Sequence, residues 1–144
     1  MDERANAELR RRILEEMTVD YSSTLDKNFN LAKQYLRITS EGKVDVMVKD
    51  DVTGAEKVLL YLIGKLYAKE AELSGTAEVS NAELMEELGM PKGSVLPAMK
   101  DLRDSNMVEQ TRGGRLAYHS VRVSVVERSL RMIDKKLKKG ARGG

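Results

Sequence analysis

The chain has 144 residues, a mass of 16.1 kDa and a formal net charge of +2. That length suits a single domain. The absence of cysteine and the presence of one histidine, His119, exclude disulfides, thiolate metal sites and a histidine metal cluster. The longest strictly apolar run, Val58–Ile63, is far shorter than the roughly 20 residues of a membrane span. We therefore expect a soluble cytoplasmic protein that is not an enzyme and needs no metal or other cofactor.

The charges are divided unevenly along the chain. Residues 1–89 contain 12 Lys or Arg and 18 Asp or Glu, a net charge of −6, whereas residues 90–144 contain 13 and 5, a net charge of +8. A basic C-terminal segment favours contact with a polyanion such as nucleic acid. The alternative is a solvated helix end, because the lysines at 135, 136, 138 and 139 also suit the negative C-terminus of a helix.

The N-terminal third predicts two helices followed by a β-hairpin. The spacing of Leu9, Ile13 and Met17 predicts an amphipathic helix over residues 2–17. After a polar break over residues 18–24, a second short helix is expected to place three residues on one face: Leu25, Phe29 and Ala32. Apolar residues then alternate with polar ones on both sides of a turn at residues 40–43, which predicts two antiparallel strands.

Three capping boxes predict three helix starts. Thr53–Glu56 opens a long core helix that ends near Glu72, and Ser80–Glu83 opens a shorter helix that ends at Gly89. Ser124–Glu127 is expected to open the last helix, which Gly140 ends, with a disordered tail after it.

Between the second and third boxes the pattern predicts a turn, a helix and a β-hairpin. Met90–Ser94 forms the turn, and the helix runs from about Lys92 to Ser105 with a single apolar stripe. A strand over residues 107–111 and a returning strand over 116–119 are joined by Arg112–Arg115. The two central glycines of that tip suit a two-residue loop.

From residue 55 onward the predicted order is helix, short strand, helix, turn, helix, strand, glycine tip and strand. With Val79–Val95 (VSNAELMEELGMPKGSV), followed by Met99, Leu102 and Met107-Val108, this order resembles the winged helix-turn-helix superfamily of the MarR/ArsR-like kind. The resemblance covers about half of the chain, residues 55–123. Together with the hairpin predicted in the N-terminal third, it implies an α+β fold, mainly α with two small β-hairpins. The expected units are N-terminal helices and a hairpin (1–52), a winged-helix domain (53–123) and a basic amphipathic helix (124–140) packed on the same unit.

The resemblance implies double-stranded DNA binding and transcription regulation, at the nucleoid if the source is prokaryotic. The helix from about Lys92 would present its N-terminal residues to base edges in a major groove. The two arginines of the hairpin tip would reach flanking phosphates or the minor groove, because the glycines between them add no bulk. The expected DNA-binding residues are Lys92, Ser94, Leu96, Pro97, Lys100, Arg103, Arg112, Gly113, Gly114 and Arg115.

The last predicted helix has an apolar and a basic face. Its apolar stripe must be buried, either against Leu9, Ile13 and Met17 of the first helix or against the same helix of a second subunit. Dimers are usual in the family that the chain resembles, so we expect a homodimer with recognition helices about 34 Å apart. The stripe is Val126, Leu130, Ile133 and Leu137. The outward cations, which extend the phosphate contacts or only keep the helix soluble, are Arg128, Arg131, Lys135 and Lys138.

The alternative function is a winged-helix adaptor that binds another protein through Leu96, Pro97 and the N-terminal hairpin. Leu96 and Pro97 occupy the outer side of the recognition helix, where DNA-binding proteins more often carry polar or basic residues. An exposed Leu-Pro pair suits a thymine methyl group or a protein partner. Asp101 and Asp104 add negative charge nearby. No nucleotide-binding motif is present, and His119 is expected to be a surface or half-buried strand residue.

Overall fold

The structure, a computed structural model, describes residues 3–18, 21–48 and 51–143. It is mainly helical, with one two-stranded and one three-stranded antiparallel sheet. The predicted α+β class is therefore confirmed. No helix in the described ranges has the length and apolar character needed to cross a membrane.

The helices and strands follow the predicted order. The helices are α1 (Glu3–Arg12), α2 (Tyr21–Lys27), α3 (Phe29–Lys33), α4 (Gly54–Glu70), α5 (Asn81–Leu88), α6 (Lys92–Asp104) and α7 (Val126–Gly143). The strands are β1 (Leu36–Ile38), β2 (Val44–Val46), β3 (Val79–Ser80), β4 (Val108–Gly113) and β5 (Leu116–Val121). A π-helical turn, Ile13–Met17, continues α1, and a 3-10 turn, Val123–Val125, precedes α7.

The middle of α4 is the centre of the hydrophobic core. Every residue from Val58 to Leu66 is buried, and α4 packs against the β1–β2 hairpin, α6, β5 and α7. The hairpin approaches closely at Gly64, where an added Cβ would lie 2.4 Å from Cγ1 of Val44. Because of this contact, the N-terminal hairpin and the segment after residue 53 share one core.

The starts of α4 and α5 test two of the three predicted capping boxes. Thr53 Oγ1 accepts a hydrogen bond from the Glu56 N–H at 3.1 Å, and Glu56 Oε1 accepts one from the Thr53 N–H at 2.8 Å, which confirms the first capping box. Ser80 Oγ accepts from the Glu83 N–H at 3.1 Å, so Ser80 caps α5 as predicted. The Glu83 carboxylate does not complete that box, because it accepts the hydroxyl of Tyr61 at 2.6 Å.

The last helix begins and ends later than predicted. The capping box at Ser124–Glu127 is wrong, because Val123–Val125 forms a 3-10 turn and α7 begins at Val126. Gly140 does not end the helix either, since α7 continues to Gly143. A single glycine costs a helix only about 1 kcal/mol, which is not enough by itself to stop it.

The N-terminal helices differ from the prediction in two respects. Residues 3–18 are exposed throughout, so the first helix contributes nothing to the core. The predicted break ends earlier, because α2 begins at Tyr21; Asp2 and residues 19 and 20 lie outside the described ranges. Phe29 does not share the buried face of Leu25 and Ala32, and its side chain is exposed. The predicted single helix is interrupted at Asn28, between α2 and α3.

Candidate nucleic-acid interface

A three-stranded sheet lies beside α5 and α6. Its central strand is β5, which pairs antiparallel with β3, where Val79 faces His119, and with β4, where Arg112 faces Ala117. α5 ends at Gly89, whose φ of +62° places it in the left-handed region that glycine favours. α5 packs against α6 and against β3 and β5 of the sheet, so the sheet, α5 and α6 form one contiguous unit next to α4.

α6 has one buried and one open face. The buried face packs on α4 and α5 through Val95, Ala98, Met99 and Leu102. The open face contains five of the predicted site residues: Lys92, Ser94, Leu96, Pro97 and Lys100. The structure brings these five together on one exposed helix surface.

Pro97 lies inside α6 rather than in its first turn. Proline has no N–H, so the carbonyl of Gly93, four residues earlier, loses its usual helical partner. Both residues are exposed. The Gly93 carbonyl can therefore accept a hydrogen bond from water or from a ligand.

The tip of the β4–β5 hairpin is exposed from residue 112 to residue 116. Gly113 pairs with Leu116, so the two loop residues are Gly114 and Arg115, one position later than predicted. Gly114 has a φ of +66°, which the first residue of a type II′ hairpin loop requires. The glycines hold both tip arginines at the far end of the sheet with little bulk around them.

The cations on α6 and on this tip lack carboxylate partners. The side chains of Lys92, Lys100, Arg112 and Arg115 form no ion pair or hydrogen bond with any other described residue. At the opposite end of the same sheet, by contrast, Arg122 Nε lies 3.5 Å from a carboxylate oxygen of Glu109. Exposed cations without carboxylate partners keep their charge available for an anion from outside the chain.

Acidic residues limit where positive charge accumulates on α6. Asp101 and Asp104 are exposed in its C-terminal half, and Asp104 follows Lys100 by one turn. The positive charge of α6 that no neighbouring carboxylate offsets therefore lies towards its start. Among the residues that the structure describes, no three His, Asp or Glu side chains lie close enough together to hold a metal ion.

Arg103 differs from the other predicted DNA-binding cations. It is half-buried, and its charge acts on His119. By helical spacing Arg103 lies one turn after Lys100, at the edge of the open face of α6.

His119 is buried, so the prediction of a surface or half-buried strand residue is wrong. Its side chain is only 1% exposed, and its Nε2 lies 2.8 Å from Oδ1 of Asn81, the first residue of α5. Since an amide oxygen only accepts, Nε2 carries the proton, while Nδ1 is buried with no partner in the described part of the chain. Burial lowers the pKa of His119, and the Arg103 charge lowers it further. Strand alternation with buried Val121 was the available signal for an inward side chain.

The apolar stripe of α7 lies inside the chain's own core. Val126, Leu130 and Ile133 are completely buried, and Leu137 is partly buried against the same cluster. α2, α3 and α4 cover the stripe. Neither partner expected from the sequence covers it: the first helix is exposed along its whole described length, and no room is left for a second subunit.

The four outward cations of α7 are all exposed, and two of them form ion pairs within the helix. Arg131 lies 2.6 Å from Glu127, and Lys138 lies 3.1 Å from Asp134. The other two cations, Arg128 and Lys135, form no ion pair or hydrogen bond with a described residue. β5 runs from the hairpin tip towards the segment that leads into α7. This strand is about 17 Å long, and it separates the tip arginines from the helix that carries these cations.

No family model matches the chain, and comparison with curated proteins and with solved structures also gave no match. The function is therefore argued from the exposed residues of α6 and of the hairpin tip.

Proposed function

We propose that the protein binds double-stranded DNA as a winged helix-turn-helix and regulates transcription. The observation that carries the proposal is the set of exposed cations without carboxylate partners on α6 and at the hairpin tip. The set is Lys92, Lys100, Arg112 and Arg115. Phosphate contacts supply most of the non-specific affinity of a DNA-binding protein, and they need cations of this kind.

The order and pairing of the elements support the winged-helix assignment. α4, β3, α5, α6, β4 and β5 follow one another in the chain, and β5 lies between β3 and β4 in the sheet. Only Met90 and Pro91 lie between the cap of α5 at Gly89 and the start of α6. A helix pair joined by so short a turn, with a hairpin beside it, offers a helix to the major groove and a tip to the flanking backbone.

In this binding mode α6 enters the major groove with its N-terminus leading. Lys92 and Ser94 supply donors for base edges or phosphates, and the N–H groups of the first turn favour an anion. Arg112 and Arg115 reach the adjacent phosphates or the minor groove, because Gly113 and Gly114 leave no side chain in between.

The test is a titration of the pure protein with a fluorescent duplex of random sequence, followed by anisotropy at two salt concentrations. A duplex of about 30 base pairs gives roughly three helical turns. The proposal predicts micromolar binding at low salt that weakens steeply as the salt concentration rises. Absence of binding at low salt would contradict it.

A second candidate is an adaptor that binds a protein through the same helix. It is favoured by the exposure of Leu96 beside Pro97, with Asp101 and Asp104 further along α6. An apolar contact of this kind depends little on salt, whereas phosphate contacts depend on it strongly. If Leu96→Ala still binds the duplex, and if this binding is lost as the salt concentration rises, DNA binding is favoured over the adaptor function.

A further inference from the structure

A cavity of about 250 Å³ lies between α3, β1 and the last turns of α4. Only one of its described lining residues, Tyr67, belongs to the segment that resembles a winged helix, and none belongs to α6 or to the β4–β5 hairpin. A mainly apolar cavity with a few polar groups is the usual form of a small-molecule site. The apolar and aromatic side chains that form its walls are Phe29, Ala32, Leu36, Ile38 and Tyr67.

Two aromatic rings line this cavity. The Tyr67 hydroxyl donates a hydrogen bond to the carbonyl of Leu25 at 2.8 Å, so α2 holds the Tyr67 ring in position. The Phe29 side chain, by contrast, is 51% exposed. A ligand with an apolar body would cover part of the Phe29 ring, and the removal of apolar surface from water favours binding.

Two cations line the same cavity and lie close together. Lys33 Nζ is 5.9 Å from the centre of the Phe29 ring. Arg37 Nη1 donates to the carbonyl of Lys33, which keeps the guanidinium at the end of α3 beside Lys33. Both side chains are exposed, and neither forms an ion pair with a described residue. Their charges are therefore available to an anion, and the planar guanidinium suits a carboxylate.

We propose that this cavity binds a small carboxylate with an apolar body, with the carboxylate held by Lys33 and Arg37 and the body against the aromatic rings. The volume of about 250 Å³ corresponds to about eight groups of the size of a water molecule, at roughly 30 Å³ each. The ligand is therefore limited to an apolar body of about eight carbon atoms. Octanoate has this size and charge.

Asp26 sets the direction of the ligand. Burial, and after it the charge of Asp26, raises the pKa of Tyr67 to about 12. Asp26 is therefore close enough to the Tyr67 hydroxyl to repel a carboxylate at that end of the ring. Lys33 follows Asp26 by seven residues along α2 and α3, about 10 Å at the helical rise. The carboxylate therefore lies towards Lys33, and the apolar body extends towards Tyr67.

The first test is a titration of the full chain with octanoate, followed by amide NMR spectra. A ligand of ten non-hydrogen atoms should bind saturably with a Kd of about 0.1–1 mM. The largest changes in chemical shift should occur at residues 29–38 and at Tyr67. Octylammonium, which has the same chain with the opposite charge, should not produce these changes.

The second test separates the charges from the apolar walls. Lys33→Ala/Arg37→Ala should weaken octanoate binding about fivefold to tenfold, because two ionic contacts are lost. The same variant should leave the binding of octanol, which is uncharged, unchanged. Phe29→Ala should instead weaken the binding of both ligands, because it removes an apolar wall. Phe29, Lys33 and Arg37 are exposed, so thermal unfolding should show that both variants are folded.

Lys43→Ala/Lys69→Ala is the matched control, because it removes two exposed cations outside this cavity and should leave octanoate binding unchanged. Three results would overturn the proposal. They are the absence of saturable octanoate binding up to about 10 mM, chemical-shift changes centred outside the cavity, and equal octanoate affinity in the wild type and Lys33→Ala/Arg37→Ala. All of these measurements are made without DNA, so none depends on the proposed function.

Discussion

The imidazole of His119 lies 2.8 Å from the side-chain oxygen of Asn81, and this contact joins the central strand of the three-stranded sheet to the first residue of α5. The second imidazole nitrogen is buried without a partner among the described residues. Protonation would place a charge in the core, close enough to Arg103 for repulsion. The arrangement of the hairpin relative to α5 and α6 therefore depends on a neutral His119.

The first prediction is a loss of stability on mild acidification. The pKa of His119 is lowered in the folded chain, so the unfolded chain, with an ordinary pKa of about 6.5, takes up the proton first. The stability that neutral His119 contributes is fully present above the pKa of His119 in the unfolded chain. It is lost as the pH falls towards the lower pKa of His119 in the folded chain. Urea unfolding between about pH 7.5 and about pH 5 should show it.

His119→Gln is the control for this pH dependence. Its amide N–H can still donate to Asn81, but glutamine does not titrate, so the variant should lose stability less steeply over the same pH range. His119 is the only histidine in the sequence, which makes the comparison specific. Identical slopes for the two proteins would refute the role given to His119.

The second prediction concerns the buried stripe of α7. Leu130→Ala should lower the free energy of unfolding by about 2–5 kcal/mol, because Leu130 is completely buried within one chain. Met132→Ala, on the same helix but 46% exposed, should change it by less than about 0.5 kcal/mol. Denaturant unfolding measures both. Similar small losses for the two variants would mean that α7 does not pack as described.

Signals contained within a few residues predicted the elements that position the site. The hydrogen bonds of a capping residue reach only to the next turn, so Thr53 and Ser80 identified the starts of α4 and α5 correctly. Gly89 ends α5 in the left-handed conformation that favours glycine, and this signal needs no knowledge of the rest of the fold. The open face of α6 followed from the spacing of its apolar residues.

Local signals failed at Ser124–Glu127 and at Gly140, and three further failures depended on contacts between distant parts of the chain. The carboxylate of Glu83 binds Tyr61 of α4 in place of its own helix start, and no local pattern reveals that competition. The a/d spacing of α7 showed that Leu130 is buried, but α2, α3 and α4, which cover it, are specified only by the tertiary fold. The burial of His119 likewise depends on its position in a central strand.

The third prediction separates base readout from phosphate contact at Lys92. If Lys92 reads base edges, Lys92→Ala should change the order of affinities across a panel of duplexes, because one base-specific contact contributes about 1–3 kcal/mol of discrimination. Lys43→Ala, an exposed lysine on the other hairpin, should leave that order unchanged. Competition binding on the panel gives the answer. Equal weakening on every duplex would restrict Lys92 to phosphate contact.

The most direct test of the proposed DNA contact is the salt dependence of duplex binding by Arg112→Ala/Arg115→Ala compared with the wild type. Each lost phosphate contact should reduce the slope of log K against log salt by about 0.9, so the double variant should bind more weakly with a slope smaller by up to about 2. Lys43→Ala/Lys69→Ala removes the same charge from exposed lysines elsewhere and serves as the control. A double arginine variant with the wild-type slope would contradict contact between the hairpin tip and DNA.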